Sequence, residues 1–427
     1  MKQNNFKSKL GFLFSAIGGA VGLGNIWMFP HKLQKYGGMF LYTYLLLTIT
    51  VGVALLTLEF ILGKYFRSDV MQLYRVNAPK IKSVGILTVV SPLIILMYYC
   101  AAGGMCLKYL LDNFFAVFSM NIFISNSMTF VFTVVFIFWI YIIASKDIDK
   151  GIERFNKIKV PVLMVAIFLW AGILLFRDNT NIILKEMLAL KIEHSYKEYI
   201  EIFAVSAEQM FFSLSIAVGS MITYGAMMPD TQNTLKSALI VSAADTLFAV
   251  AMSVVVISAS ITHSFDANGP QLIFGTMQNV FDNNGILGNL LGSFFYMAII
   301  VAALTSAVSY VEVPVSAMNS ISTFNRKKSL SFCLGIILLP AIYITIENFQ
   351  VFYRVIAFIG EGFIVPITAF LSSLNFGVFD SKQNISFFIE KEIHNVIIRR
   401  IFTFLLKYLV ELVIITVIIF QTMIFCV

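Results

Sequence analysis

The chain has 427 residues, 59% of them hydrophobic and only 12% charged, with a formal net charge of +7 and a mean hydropathy of +0.87. That much apolar surface excludes a water-soluble globular protein, because single cores stop growing at roughly 250–300 residues. The positive charge does not argue for nucleic-acid binding, because the basic residues gather in short connections between apolar runs, as membrane topology requires.

Apolar runs able to cross ~30 Å of hydrocarbon recur along the sequence. They lie at about 10–35, 40–66, 84–112, 127–146, 158–178, 200–228, 236–264, 287–322, 328–346, 351–376 and 396–424. These eleven spans are predicted helices, since lipid forbids unpaired backbone and no run alternates as a barrel strand does. The first is too long and Gly-rich for a cleaved leader, and no A-x-A pattern follows Lys2, Lys7 and Lys9. Even-numbered connections carry Lys64, Arg67, Arg75, Lys80 and Lys82, then Lys146, Lys150, Arg154, Lys157 and Lys159, and later Lys236, Arg326, Lys327, Lys328, Lys382, Lys391, Arg399 and Arg400. Residues 264–286 hold neither Lys nor Arg. The positive-inside rule therefore puts the N-terminus in the cytoplasm and the C-terminus outside.

Span 1 contains "AIGGAVGLGNIWMFP" at 16–30. Gly18, Gly19, Gly22 and Gly24 each weaken the helix by about 1 kcal/mol relative to Ala. Asn25 adds a polar side chain at membrane depth, and Pro30 closes the stretch. Span 6 carries its own interruption, "FSLSIAVGS" at 212–220. Broken helices at matching places of two five-helix halves point to an inverted-repeat transporter with a midplane site. The halves fall at about 10–178 and 200–376, with an extra helix at about 396–424, in a single transmembrane domain over 1–427. Unwinding frees carbonyls for cations, and half-helix N-termini favour a carboxylate.

Enzyme readings lack their residues. His31, His194, His263 and His394 lie far apart, and no H-E-x-x-H, G-x-S-x-G or G-x-x-x-x-G-K-[ST] occurs. Cys100, Cys106, Cys333 and Cys426 sit in apolar runs without metal-ligand spacing and read as core residues. Within the spans, Glu59, Glu208, Asp245, Glu312, Glu361 and Glu411 are functional candidates because burying them is costly; the alternative is a structural hydrogen bond between helices.

"GFLFSAIGGAVGLGNIWMFP" with "YGGMFLYTYLL", "KGIERFNKIKVP", "EQMFFSLSIAVGSMITYG", "NGPQLIFGTMQNVF" and "AALTSAVS" appear in this order. Together they resemble the neurotransmitter:sodium symporter family, whose LeuT fold is an all-α polytopic 5+5 inverted repeat; the eleventh span is compatible. The resemblance implies a symporter coupling sodium entry to uptake of an amino acid, without enzyme activity. It implies a first sodium site at the Ala20 carbonyl, Asn25, Ser213, Asp245 and the substrate carboxylate. A second would use carbonyls of Gly18, Val21 and Ala302 with the hydroxyls of Thr305 and Ser306. Such hard oxygen ligands suit sodium. The substrate carboxylate would meet the N–H groups of Leu23 and Gly24 and the Tyr99 hydroxyl, with Ala20, Ser213 and Ser215 also at the ligand. Glu59 would brace the broken helices.

Gly22 stands where monoamine carriers have Asp, which implies an α-amino acid rather than a bare amine. Its side chain would face Ile95, Phe212, Ile216, Val218 and Tyr310, a wall for an apolar or aromatic group. Tyr44, Gln209 and Ser213 keep part of the shell that holds chloride in chloride-dependent relatives. Asp245 replaces their neutral Asn and Ala249 a hydroxyl residue, so no chloride is expected. Two departures concern gating. The outer-gate arginine is replaced by Met28, with Glu347, Gln350 and Arg354 near the place of its acidic partner. The inner gate pair is replaced by Gln3 and Ser320. These departures leave a binding-only sodium and amino-acid sensor as the alternative to a carrier.

Overall fold

The computed structural model describes residues 5–119, 128–176, 180–190, 195–260, 270–347, 351–378 and 385–425. Lys2, Gln3, His194, His263, Gln350, Lys382 and Cys426 lie outside them.

Within the described residues the predicted spans are helical, apart from interruptions in spans 1 and 6. Among the described residues, eight helices are long and apolar enough to cross a membrane, and Lys9–Ala20 and Thr129–Ala144 are shorter apolar ones. One stretch of 43 residues, Gly24–Phe66, is too long for a single crossing. It joins spans 1 and 2 through Gly37, whose φ of 62° and ψ of −149° break the helix in a region open essentially to glycine alone. Pro30 does not end span 1. The helix widens just before it, with the Phe29 N–H reaching back to the Gly24 carbonyl. Such a wide turn is one of the few devices that lets proline sit inside a continuing helix.

The two interruptions differ in kind. In span 1, Lys9–Ala20 stops at Val21, whose extended ψ of 107° takes the chain out of the helix. In span 6, Tyr196–Ser213 and Ser220–Ala226 are separated by residues 214–219. There Ser215, Ala217 and Gly219 all have positive φ, at 50°, 64° and 81°. A non-glycine residue in this region costs on the order of 1–3 kcal/mol, so surrounding contacts must hold it. Span 3, Lys82–Val117, packs most extensively on span 8, Gly285–Ile321, forming a wall beside both breaks.

Residues outside the spans pin the bundle ends. Glu153 accepts from the Lys7 N–H (2.7 Å), the Ser8 N–H (3.1 Å) and the Ser8 hydroxyl (2.7 Å). Phe6 packs edge-on against Phe12 and Tyr224. On the short helix Ile385–Glu392, Glu392 takes the Lys64 ammonium (2.5 Å), the Tyr65 hydroxyl (2.8 Å) and the Thr234 N–H (2.8 Å). Burial alone would raise the Glu392 carboxyl, but these donors outweigh it and hold it below its ordinary value.

Candidate functional site

The breaks of spans 1 and 6 meet spans 3, 7 and 8 in the middle of the bundle, and the polar residues of the sequence reading converge there. Asn25 is 1% exposed and Asp245 fully buried. The Asn25 amide donates to Asp245 Oδ1 (2.7 Å) and to the Ser213 hydroxyl (3.0 Å), while its oxygen accepts the Gly22 N–H (3.0 Å). Ser213 donates to Asp245 Oδ2 at 2.5 Å, and Tyr44 to the same oxygen at 3.3 Å. Ala20 ends the first half-helix, where carbonyls run out of intrahelical donors. Gln209 reaches the Gly24 carbonyl at 3.4 Å.

A second cluster lies on the other side of span 1. The Ser306 hydroxyl contacts the carbonyls of Val21 (2.9 Å) and Gly18 (3.2 Å), and Thr305 donates to the Ala302 carbonyl (2.9 Å). Five oxygens from spans 1 and 8 thus gather in a fully buried place. Hard oxygens without sulfur or imidazole suit an alkali cation.

Between the clusters, the Tyr99 hydroxyl faces the Leu23 N–H, and its ring meets Tyr310 edge-on at 5.4 Å. A Cβ on Gly22 would lie 2.7 Å from the Ser306 hydroxyl and 2.8 Å from that of Tyr99. The Phe212 ring lies directly on Gly24. Ile95, Phe212, Val218 and Tyr310 line one narrow cavity, with Ile216 buried nearby in sequence.

The strained segment of span 6 is held from three sides. Glu59 accepts the Ala217 N–H at 2.6 Å, Thr368 donates to the Ala217 carbonyl at 3.0 Å, and Ser215 donates to the Gly19 carbonyl at 2.9 Å. Glu59 therefore braces the break in span 6.

The gate positions are occupied differently from the family pattern. Glu347 takes the Tyr343 hydroxyl and the Phe352 N–H, and Arg354 is exposed. The ion pair near Met28 is instead Lys32 with Glu208, at 3.3 Å. At the opposite end, Ser320 donates to the Ala317 carbonyl and stands beside Asp69, whose carboxyl burial pushes up against the pull of that hydroxyl and nearby N–H groups. Asp69 and Ser320 share a cavity of about 590 Å³ with Arg67, Asp147, Glu312 and Arg326. Glu312 is structural in character: Arg326 holds both its oxygens, at 2.8 and 2.6 Å. Sequence reasoning misses Lys32, which pairs with Glu208, and Glu153, which pins the N-terminal segment at the bundle end. The one signal for Glu153 was an acid inside the basic stretch "KGIERFNK".

The fold has counterparts among known proteins. The crystal structure of MhsT in complex with L-phenylalanine superposes with a TM-score of 0.85 at 25% identity, covering 97% of this chain and 99% of that one. An uncharacterized sodium-dependent transporter of Bacillus subtilis, YhdH, is 29% identical over 79% of this chain and 77% of its own length. Another from Methanocaldococcus jannaschii, MJ1319, is 27% identical over 87% and 81%. The human sodium- and chloride-dependent transporter XTRP3 is 27% identical over 59% of this chain and 48% of its own. The sodium:neurotransmitter symporter family model matches residues 3–122 and 117–427. With its helices broken at Val21 and at 214–219 around buried oxygen clusters, the chain belongs to the sodium:neurotransmitter symporter family and has the LeuT fold.

Proposed function

We propose that this protein carries an α-amino acid into the cell by symport with sodium at two sites, through alternating access and without chloride. The carrying observation is the convergence of unwound carbonyls, two hydroxyls, Asn25 and Asp245 at the two helix breaks. In this reading Ala20, Asn25, Ser213, Asp245 and the substrate carboxylate hold one sodium, and Gly18, Val21, Ala302, Thr305 and Ser306 the other. Leu23, Gly24 and Tyr99 receive the carboxylate, next to Ser215, and Gly22 keeps the space clear. The substrate side chain lies against Ile95, Phe212, Ile216, Val218 and Tyr310, which suits an apolar or aromatic body. Because sodium and substrate share the first site, each raises the affinity for the other.

Asp245 supplies a fixed negative charge where sodium and a zwitterion would otherwise add net positive charge in a low-dielectric site. Asn25, Ser213 and Tyr44 already donate to its carboxylate, leaving a mobile anion no role. The face bearing Lys9 lies in the cytoplasm of a bacterial inner membrane, the two repeats forming one domain with the last helix appended.

Uptake of labelled amino acids into proteoliposomes tests the reading. Accumulation follows an inward sodium gradient, persists when gluconate replaces chloride, and is lost in Asn25→Ala and Ser306→Ala. Decarboxylated amines compete far more weakly than their parent amino acids. Equal uptake in potassium or choline buffer refutes sodium coupling, and sodium-dependent binding without uptake identifies a sensor.

A further inference from the structure

The wall assigned to the substrate side chain does not end in apolar residues. The cavity lined by Ile95, Phe212, Val218 and Tyr310 is also lined by Glu208 and Glu361. Its volume of about 20 Å³ accommodates one water-sized group, since one water needs roughly 10–15 Å³. Glu361 sits in the wide helical turn Phe358–Ile364 of span 10. Its Oε1 is shielded from solvent and has no hydrogen-bond partner among the described residues. A buried carboxylate oxygen without a donor is costly, and such groups inside membrane spans mark substrate or ion pathways.

The charges around it do not balance. The Lys32 ammonium is bound to the other carboxylate, Glu208 Oε2, at 3.3 Å. With both carboxyls ionised, a single ammonium leaves one negative charge that a bound cation would balance. Resting on the amino-acid symport reading, we propose that the side-chain end of the pocket receives a cation: the substrate is an α-amino acid with an aliphatic stem and a terminal ammonium or guanidinium, whose head binds Glu361 beside Glu208. An ammonium is about the size of the one water the cavity admits, so the stem enters against Ile95, Phe212 and Val218 as these side chains part to receive it. Long cationic side chains combine these requirements, an apolar stem and a charged tip. The apolar wall then holds the stem alone, rather than a wholly apolar or aromatic side chain.

The discriminating pair is L-lysine and L-norleucine, which share the stem and differ in the terminal amine. Their affinities are measured in sodium buffer on the full-length protein in nanodiscs, for the wild type and Glu361→Gln, with L-phenylalanine alongside. Truncating one partner of a buried, hydrogen-bonded charge pair weakens binding by about 30-fold or more. The wild type is therefore expected to prefer lysine to norleucine by about that factor, and Glu361→Gln to lose most of that preference. Should Glu361→Gln fail to fold, the wild-type ratio decides. Norleucine binding as tightly as lysine, or an unchanged ratio in Glu361→Gln, overturns the inference. Sodium-dependent phenylalanine binding without lysine binding overturns it alone, whereas binding of no α-amino acid overturns the symport reading with it.

Discussion

Gly22→Ala adds one methyl group between the Ser306 and Tyr99 hydroxyls. The new Cβ would stand 2.7 Å from the Ser306 hydroxyl and 2.8 Å from the Tyr99 hydroxyl, both well inside contact distance. Neither neighbour yields cheaply. Ser306 is tied to the Gly18 and Val21 carbonyls, and the Tyr99 ring is packed against Tyr98 and Tyr310. Overpacking of this kind costs about 1–3 kcal/mol, which corresponds to roughly a 5- to 150-fold change in a binding constant. Both ligands should be affected, because Ser306 belongs to the proposed second sodium site and Tyr99 to the carboxylate site. Calorimetric titration of the purified protein with sodium, and then with amino acid in sodium, reads the two losses separately. Gly335→Ala is the control, since a Cβ there meets nothing within 4 Å. Wild-type affinities for both ligands in Gly22→Ala would refute this account of the site.

Asp245→Asn with Ala249→Ser should make sodium-coupled uptake chloride-dependent, because a mobile anion then replaces the fixed charge; unchanged uptake in gluconate counts against it. Glu59→Ala leaves the Ala217 N–H (2.6 Å from its present acceptor) without a partner and should destabilise the protein by roughly 1–3 kcal/mol. Glu59→Gln keeps an acceptor and should lose less, so identical melting temperatures for the two variants would contradict the bracing role. Because the folded Glu392 carboxyl is held below its ordinary value of 4.5, its contribution to stability is present above that pH and disappears as the pH falls through the folded value. The wild type should therefore melt above Glu392→Gln at pH 7, and the gap should close under acid; a gap that widens on acidification would reverse the assigned sign.

What the sequence made legible followed from local chemistry. Span lengths reflect the thickness of hydrocarbon, and Gly18, Gly22, Gly24 and Asn25 announce a helix that cannot stay wound. The ordered motifs then located Ser213, Thr305 and Ser306, and Asp245 stood out as an acid inside an apolar span; the fold brings all four to the same two breaks. What escaped depends on contacts between distant residues. Lys32 and Glu208 lie 176 positions apart, and nothing in either neighbourhood signals the other. Glu153 and Ser8 are separated by 145. Span 1 runs through Pro30 as its predicted bounds require, because the wide turn before it absorbs the missing N–H. The left-handed residues Ser215 and Ala217 carry no propensity for that conformation; tertiary contacts from Glu59, Thr368 and Gly19 impose it.

Gly37 has a mechanical consequence. Spans 1 and 2 are joined through one glycine, with helix on both sides, and a residue contributes at most about 3.3–3.6 Å of reach. There is no slack between them. When the half of span 1 beyond the break tilts, the adjoining end of span 2 must be dragged along. The pair works as a crank on a single pivot, not as two independent rods. Glu59, farther along span 2, grips the break in span 6, so span 2 links a tilt of span 1 to the break in span 6. Inserting a few flexible residues at Gly37 would leave every ligand in place and uncouple the crank.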